Sequence, residues 1–509
     1  MVSQVYSMGV IGIDAFLVTV ESSFLSGMPS FDIVGLPDLA VKESRSRVRN
    51  AVRNLGFGEL KERITVNLAP ADIKKNGSVY DLPILLSLLL TYDLINADVK
   101  DSIFIGEVSL TGDVLKVDGL LPMAKQAKKL GFKNLFVPKD IAMQAAIIEG
   151  INVYPVGNAI DVINHLTGKE ALLPIKSVKF DELESMQYLD FKDVAGQDLV
   201  KRAIEIASAG GHNLLMIGPP GSGKSMLAKR IPSILPKMTL EEAMETTAIH
   251  SIAGVLRNNT SLLTARPFRA PHHTVSAAAL SGGGKTPMPG EISLAHNGVL
   301  FLDELPEYNR QSLETLRQPL EDGVVSIARV SGTLTYPCNT MFVAAMNPCP
   351  CGYYGHPTRS CSCKKADVAK YLGKISGPLL DRMDIHIEVP PVSYNELSSG
   401  NEAESSEEIR KRVDRARQIQ NERFKDSGVN CNANMTTAML KQYCRLDDAT
   451  NEYLKNTFEN LGMSGRAYDR LLKLSRTIAD LDGSENIERK HIAEAVRLRS
   501  LDRKYWENR

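Results

Sequence analysis

Gly218-Pro219-Pro220-Gly221-Ser222-Gly223-Lys224-Ser225 lies between the apolar run Leu214-Leu215-Met216-Ile217 and the segment Met226-Leu227-Ala228-Lys229-Arg230. The pattern reads as strand, glycine-rich loop and helix, the setting a P-loop requires. Glycines let main-chain N–H groups turn inward around phosphates, and the helix N-terminus behind them adds its dipole. There Lys224 would reach the β- and γ-phosphates of a bound nucleotide, and the Ser225 hydroxyl would ligate Mg2+. The alternative, a glycine turn without chemistry, is opposed by the strand and helix on either side.

Further along, Gly298-Val299-Leu300-Phe301-Leu302-Asp303-Glu304 is an apolar run ending in two carboxylates. A buried parallel strand has this form, with polar residues at the C-terminal edge where ligands bind. Asp303 would hold Mg2+ through water, and Glu304 would polarise the attacking water as general base. A second apolar run, Met341 to Met346, ends at Asn347, whose neutral amide can orient water beside a γ-phosphate or simply cap a turn before Pro348. Gly377-Pro378-Leu379-Leu380-Asp381-Arg382 places an arginine after a helical turn, where it could serve a neighbour's γ-phosphate. Ser464-Gly465-Arg466 begins a helix near the C-terminus, and Arg466 could contact phosphate from there.

In this order the motifs resemble Walker A, Walker B, sensor 1, arginine finger and sensor 2 of the AAA+ ATPases. Arg266-Pro-Phe-Arg-Ala-Pro-His-His-Thr274, Pro289-Gly-Glu-Ile-Ser-Leu-Ala-His-Asn-Gly298 and Ser464-Gly-Arg-Ala-Tyr-Asp-Arg470 are similar to the magnesium-chelatase-like YifB/ComM family. The resemblance covers essentially the whole chain. It implies a ring-forming ATPase, by resemblance a hexamer, acting as a DNA helicase that promotes branch migration in natural transformation.

The 509 residues exceed one ordinary domain. Lys+Arg is 60 and Asp+Glu is 60, so any DNA-binding surface must be a local basic feature. The N-terminus lacks a charged segment followed by an apolar core, and the run from Leu82 to Leu90 is too short to span a bilayer. A cytoplasmic protein without membrane partners is expected. Expected boundaries are an α/β domain over 1–168, a linker over 169–189, the P-loop ATPase core over 190–394, a linker over 395–408 and a helical lid domain over 409–509.

Ile64 to Ser78 and Gly106 to Gly119 resemble the Lon-protease fold, which also appears in the RadA recombination ATPase. Lon chemistry needs a serine nucleophile and a lysine base. The lysine position here is Leu121, and Ser78 does not sit securely at the nucleophile position, so no peptidase activity is expected.

Val324 to Tyr336 alternates around Ser331-Gly332, a hairpin signature. In related helicase-type AAA+ proteins a hairpin there lines the pore. Arg329 and, in a glycine-rich loop, Lys285 are then candidate DNA-phosphate contacts, with ordinary solvated cations as the alternative. Lys42, Arg45, Arg49 and Arg53 share one helical face opposite Val41, Val48, Val52 and Leu55. That row can bind DNA in a salt-dependent way, or be a solvated face paired with Glu43.

Cys349, Cys351, Cys361 and Cys363 form C-x-C, nine residues, C-x-C. Four thiolates suffice for tetrahedral Zn2+, with His356 as a spare ligand; unliganded thiols in a loop are the alternative. Cys338, Cys431 and Cys444 show no ligand spacing and read as structural.

The functional expectation is an ATP-dependent DNA motor. Its rivals are a chelatase-type AAA+ motor that inserts Mg2+ into a porphyrin, a protein-remodelling ATPase that does not act on DNA, and a non-enzymatic scaffold. The intact Lys224, Asp303 and Glu304 argue against the scaffold, and the Lon-like first domain, which resembles a recombination-type appendage, argues against the chelatase.

Overall fold

The computed structural model describes residues 2–177, 180, 188–256, 260–284, 287–329, 332–356, 358–391, 403–425, 427–499 and 501–506. Lys285, much of the expected linker at 169–189 and residues 395–402 of the second linker lie outside the described residues. The chain divides into two compact units, 1–184 with 240–264, and 185–239 with 265–509.

The first unit is built on a seven-stranded sheet. Ser3–Ile11 and Asp14–Leu25 form a long antiparallel hairpin, and Arg63–Ala69 adds antiparallel to it. Ser30–Val34 then pairs parallel at one edge, while Ser102–Phe104, Asn134–Pro138 and Asn152–Val156 extend the other side in parallel. Alternation drives the central strands: Ile64, Val66 and Leu68 are all buried while the residues between them are half-buried. The apolar run at 82–90 forms the core helix Asp81–Thr91. Leu121 is buried in helix Leu120–Lys129, and the Ser78 hydroxyl donates to the Glu107 carboxylate, so it faces an acid rather than an amine. Helix Leu240–Ile252, expected within the ATPase core, belongs to this unit instead, where Ser251 Oγ accepts the Gly119 amide at 2.9 Å.

The second unit holds a five-stranded, all-parallel sheet. Its spatial order is Phe268–Arg269, Val299–Leu302, Met341–Met346, Leu214–Ile217, Ile385–Glu388. The three central strands are buried along their whole length, as a sheet covered on both faces requires. Their C-terminal ends therefore deliver the P-loop, Asp303-Glu304 and Asn347 to one sheet edge. The region beyond the second expected linker is helical, and helix Ser406–Arg423 already begins inside that linker, capped by Ser405. Val413, Ala416, Leu471, Leu474 and Ile478 share one buried core with Leu214, Met216 and Val343 of the sheet. The C-terminal helices and the sheet thus stand on common apolar packing.

Candidate nucleotide site, arginine face and cysteine cluster

The P-loop wraps the start of helix Lys224–Ala228, with Gly223 at φ 88° as its cap. A side chain at that left-handed angle would be strained, so the sharp entry into the helix selects glycine. Lys224 is buried, and its Nζ donates to Gly218 O at 2.8 Å, to Pro219 O at 2.9 Å and to Asn347 Oδ1 at 3.3 Å. Burial pushes its pKa down, against the pull of Asp303 and Glu304. Ser225 Oγ donates to Asp303 Oδ2 at 2.5 Å. A cavity of about 390 Å³ opens among these groups and is also lined by Glu304 and Asn347. The donor set fits a magnesium nucleotide: a lysine held on main-chain carbonyls, a hydroxyl against a carboxylate, and open space beside them.

Glu304 follows the strand in a left-handed conformation at φ 52°, with its amide bonded to Asp303 Oδ1 at 2.9 Å. That turn separates the two carboxylates. Asp303 faces Ser225, while Glu304 Oε2 lies 3.6 Å from His273 Nδ1. His273 packs against His272 in a tilted arrangement with ring centroids 4.0 Å apart, and the loop is tied down by Tyr308, whose hydroxyl donates to Pro271 O at 2.6 Å. The sequence reading gave His273 no role. Its available signal was position, a histidine pair just after a strand that borders the Asp303 strand.

Arg382 and Arg466 do not line the P-loop cavity. They line a different one, of about 640 Å³, together with Glu321, Asp384, Arg470 and Lys473. Arg382 is buried and fully engaged. Its Nε donates to Arg317 O at 2.9 Å, its Nη1 to Pro378 O at 2.8 Å, and its Nη2 pairs with Glu321. Arg466 stands exposed in the first turn of helix Gly465–Leu481, whose N-cap Ser464 accepts the Ala467 amide. Asp384 joins the two segments: Oδ2 accepts the Asn213 amide at 3.1 Å and lies 3.4 Å from His212 Nδ1, and Oδ1 lies 3.6 Å from Arg470 Nε. Burial alone would raise this carboxyl, but His212, Arg470 and Arg499 hold it well below the usual carboxylate range.

The hairpin read around Ser331-Gly332 is present as Val324–Arg329 paired antiparallel with Gly332–Pro337. Arg329 ends the first strand opposite Gly332, next to the turn; its side chain and residues 330–331 lie outside the described residues. A short ribbon, Gly282–Gly283 with Met288–Pro289, flanks the undescribed Lys285. Tyr336 ties the two together by donating to Pro287 O at 3.0 Å. In the first unit Lys42, Arg45, Arg49 and Arg53 are all exposed, while Val41, Val48 and Val52 are buried. Among the described residues none of the four has a carboxylate partner. Glu43 pairs with Arg47 instead, at 3.9 Å.

The sulfurs of Cys349, Cys351, Cys361 and Cys363 all lie within 4.8 Å of one another. Three of the separations are 3.4, 3.7 and 3.5 Å. Tetrahedral Zn2+ with bonds near 2.3 Å would place sulfurs about 3.8 Å apart, so the donor set fits this metal. His356 is outside the cluster, and its Nδ1 accepts the Thr358 and Arg359 amides. Cys338, Cys431 and Cys444 are buried singly.

Three family profiles cover most of the chain. "Magnesium chelatase, subunit ChlI" matches residues 190–397, "Subunit ChlI of Mg-chelatase" matches 20–141, and "Magnesium chelatase, subunit ChlI C-terminal" matches 403–499. Competence protein ComM of Haemophilus influenzae is 43% identical over 507 residues, 98% of this chain and 97% of that protein. The chain belongs to the magnesium-chelatase-like YifB/ComM family of AAA+ ATPases. Within that family, the protein YifB of Escherichia coli is 42% identical over 504 residues, 98% of this chain and 97% of that one. More distantly, DNA replication licensing factor Mcm2 of Drosophila melanogaster is 24% identical over 223 residues, 38% of this chain and 23% of that one. Among the described residues no helix is long and apolar enough to cross a membrane.

Proposed function

We propose that this AAA+ ATPase is a ring-forming DNA motor, a helicase or branch-migration factor serving homologous recombination during natural transformation. The observation that carries the reading is the division of the nucleotide machinery between two cavities of one unit. Lys224, Ser225, Asp303, Glu304 and Asn347 surround one; Arg382 and Arg466 line the other. A second copy presenting its arginine cavity to the P-loop cavity would complete the site. Such a head-to-tail contact repeats and closes into a ring, taken as six-membered from the family resemblance.

In this ring Lys224 binds the β- and γ-phosphates of ATP, while Ser225 and Asp303 hold Mg2+, which neutralises phosphate charge. Glu304 accepts the proton of the attacking water, and Asn347 orients that water. Arg382 and Arg466 act on the neighbour's nucleotide, where cationic charge stabilises the developing transition state. DNA contact is assigned to the hairpin end at Arg329, to Lys285, and to the exposed row Lys42, Arg45, Arg49 and Arg53, which has no carboxylate partner among the described residues. The four thiols are read as a structural Zn2+ site.

The similarity to a competence protein supports this reading. A chelatase-type motor has its own support in the profile matches, which reach into the first unit at 20–141. That unit therefore does not separate the two readings by its presence. The test is ATP turnover with and without four-way-junction DNA, with Glu304→Gln as control. Strong stimulation by the junction, lost in the variant, is expected. Turnover indifferent to DNA would overturn the DNA motor in favour of a chelatase-type or protein-remodelling one.

A further inference from the structure

We infer that the tetrathiolate loop is a wall of the nucleotide site, so that metal held by Cys349, Cys351, Cys361 and Cys363 and ATP held by the P-loop stabilise each other. The inference rests on the zinc reading above and adds a coupling between two sites.

The loop starts where the nucleotide site ends. Asn347, which accepts from Lys224 Nζ at 3.3 Å, is two residues before Cys349. Between strand Met341–Met346 and helix Lys365–Leu372, no helix or strand occurs among the described residues. A connection of that length without regular structure needs another constraint to hold one shape. Metal ligation supplies it by closing the loop on itself. The main chain is already shaped for thiolates: the Tyr354 amide donates to Cys349 Sγ at 3.3 Å and the Cys363 amide to Cys361 Sγ at 3.4 Å. Such N–H groups support bound sulfur ligands from outside the coordination sphere.

Two contacts carry the loop's shape to the nucleotide. Gly352, one residue past Cys351, sits at φ 84° against the P-loop, and a Cβ there would lie 2.4 Å from Pro220 Cδ. No larger residue fits that approach. On the far side of the loop, the buried Tyr371 of helix Lys365–Leu372 lies beside the main chain of Asn347, close enough for that main chain to oppose the upward push of burial on the Tyr371 hydroxyl. The thiolate loop thus leaves Asn347, braces Pro220, and returns to Asn347. Loss of the metal would release both supports, and ATP would have to order them on binding. By linkage, bound ATP must hold the metal more tightly to the same degree.

The experiment uses the full chain. Metal content is measured first. ATP affinity is then measured calorimetrically with Mg2+ before and after Zn2+ removal and re-addition, and for Gly352→Ala. The rate at which a chromogenic chelator extracts Zn2+ is followed with and without ATP. Expected are one equivalent of zinc, ATP affinity about tenfold weaker after removal and restored by Zn2+, and slower extraction with ATP present. Gly352→Ala should keep its zinc and still bind ATP more weakly. Protein with its full zinc whose ATP affinity is unchanged by removal, and whose zinc leaves equally fast with ATP, would overturn the coupling and leave the metal site standing. Gly352→Ala that keeps zinc and binds ATP normally would overturn the route through Pro220. Protein purified without chelators and containing no zinc would overturn the metal reading and the coupling with it.

Discussion

The P-loop cavity and the arginine cavity are built from the same kind of chemistry in opposite proportions. At the P-loop, acceptors and donors converge: Lys224 on two carbonyls and Asn347, Ser225 on Asp303, and Glu304 turned toward His273. Among the described residues, its lining holds no arginine. The other cavity has Arg382, Arg466 and Arg470, and its lining glycines Gly211, Gly323 and Gly428 come from separate parts of the chain rather than from one phosphate-cradling loop. One side is laid out for a ligand, whereas on the other Arg382 is spent on Arg317, Pro378 and Glu321. Folding of one chain therefore prepares two halves, and in the proposed ring assembly joins them. Arg382 must exchange Glu321 for phosphate to do so.

Arg382 gives the most severe test of this division. Arg382→Ala should lower turnover by about a thousandfold or more, the scale of an arginine finger, with ATP binding retained. Mixing it with Lys224→Ala should restore activity, because an intact P-loop of one variant then meets an intact Arg382 of the other. Two inactive variants that stay inactive in mixed assemblies would place Arg382 on its own chain's nucleotide.

A smaller effect is expected at Asp384, which ties the Arg382 segment to the Arg466 helix through Arg470 and His212. Asp384→Asn removes the acid from a buried charge cluster and should destabilise the chain by about 3 kcal/mol. The readout is a lower urea midpoint for unfolding. If the two faces are as separate as described, ATP affinity should stay unchanged; a matching loss of ATP affinity would show them coupled within one chain.

The smallest effect is at His273. Its 3.6 Å approach to Glu304 Oε2 would make it a positioning residue for the carboxylate proposed to polarise the attacking water. His273→Ala should lower kcat roughly tenfold, less than loss of a general base itself, and leave the KM for ATP alone. A rise in KM with unchanged kcat would assign His273 to substrate binding at the P-loop cavity instead.

What could be read along the chain and what could not follows the range of the interactions. The P-loop, the Asp303-Glu304 strand end and the strand before Asn347 were legible because each is a local pattern: an apolar strand, then polar residues at its C-terminal edge. The C-x-C pairs were legible for the same reason, and the sulfurs do meet. His273 was quoted within a motif and given no role, because nothing local places it opposite Glu304. The grouping of Leu240–Ile252 with the first unit was also hidden, since a helix leaving the ATPase core by sequence gives no sign of where its apolar side packs.

Local pattern was enough to place the strand, loop and helix around the P-loop, the buried parallel strand before Asp303, and the residues proposed for catalysis. These depend on residue periodicity and on short spacings fixed by backbone geometry. Which groups face each other is settled by the packing of the fold. Glu321 meets Arg382 across sixty-one residues, Gly352 rests on Pro220 of the P-loop, and Arg466 shares a cavity with Arg382 rather than with Lys224. Such contacts arise from how strands order in the sheet and how helices pack against it, and neither is encoded in any single stretch of chain.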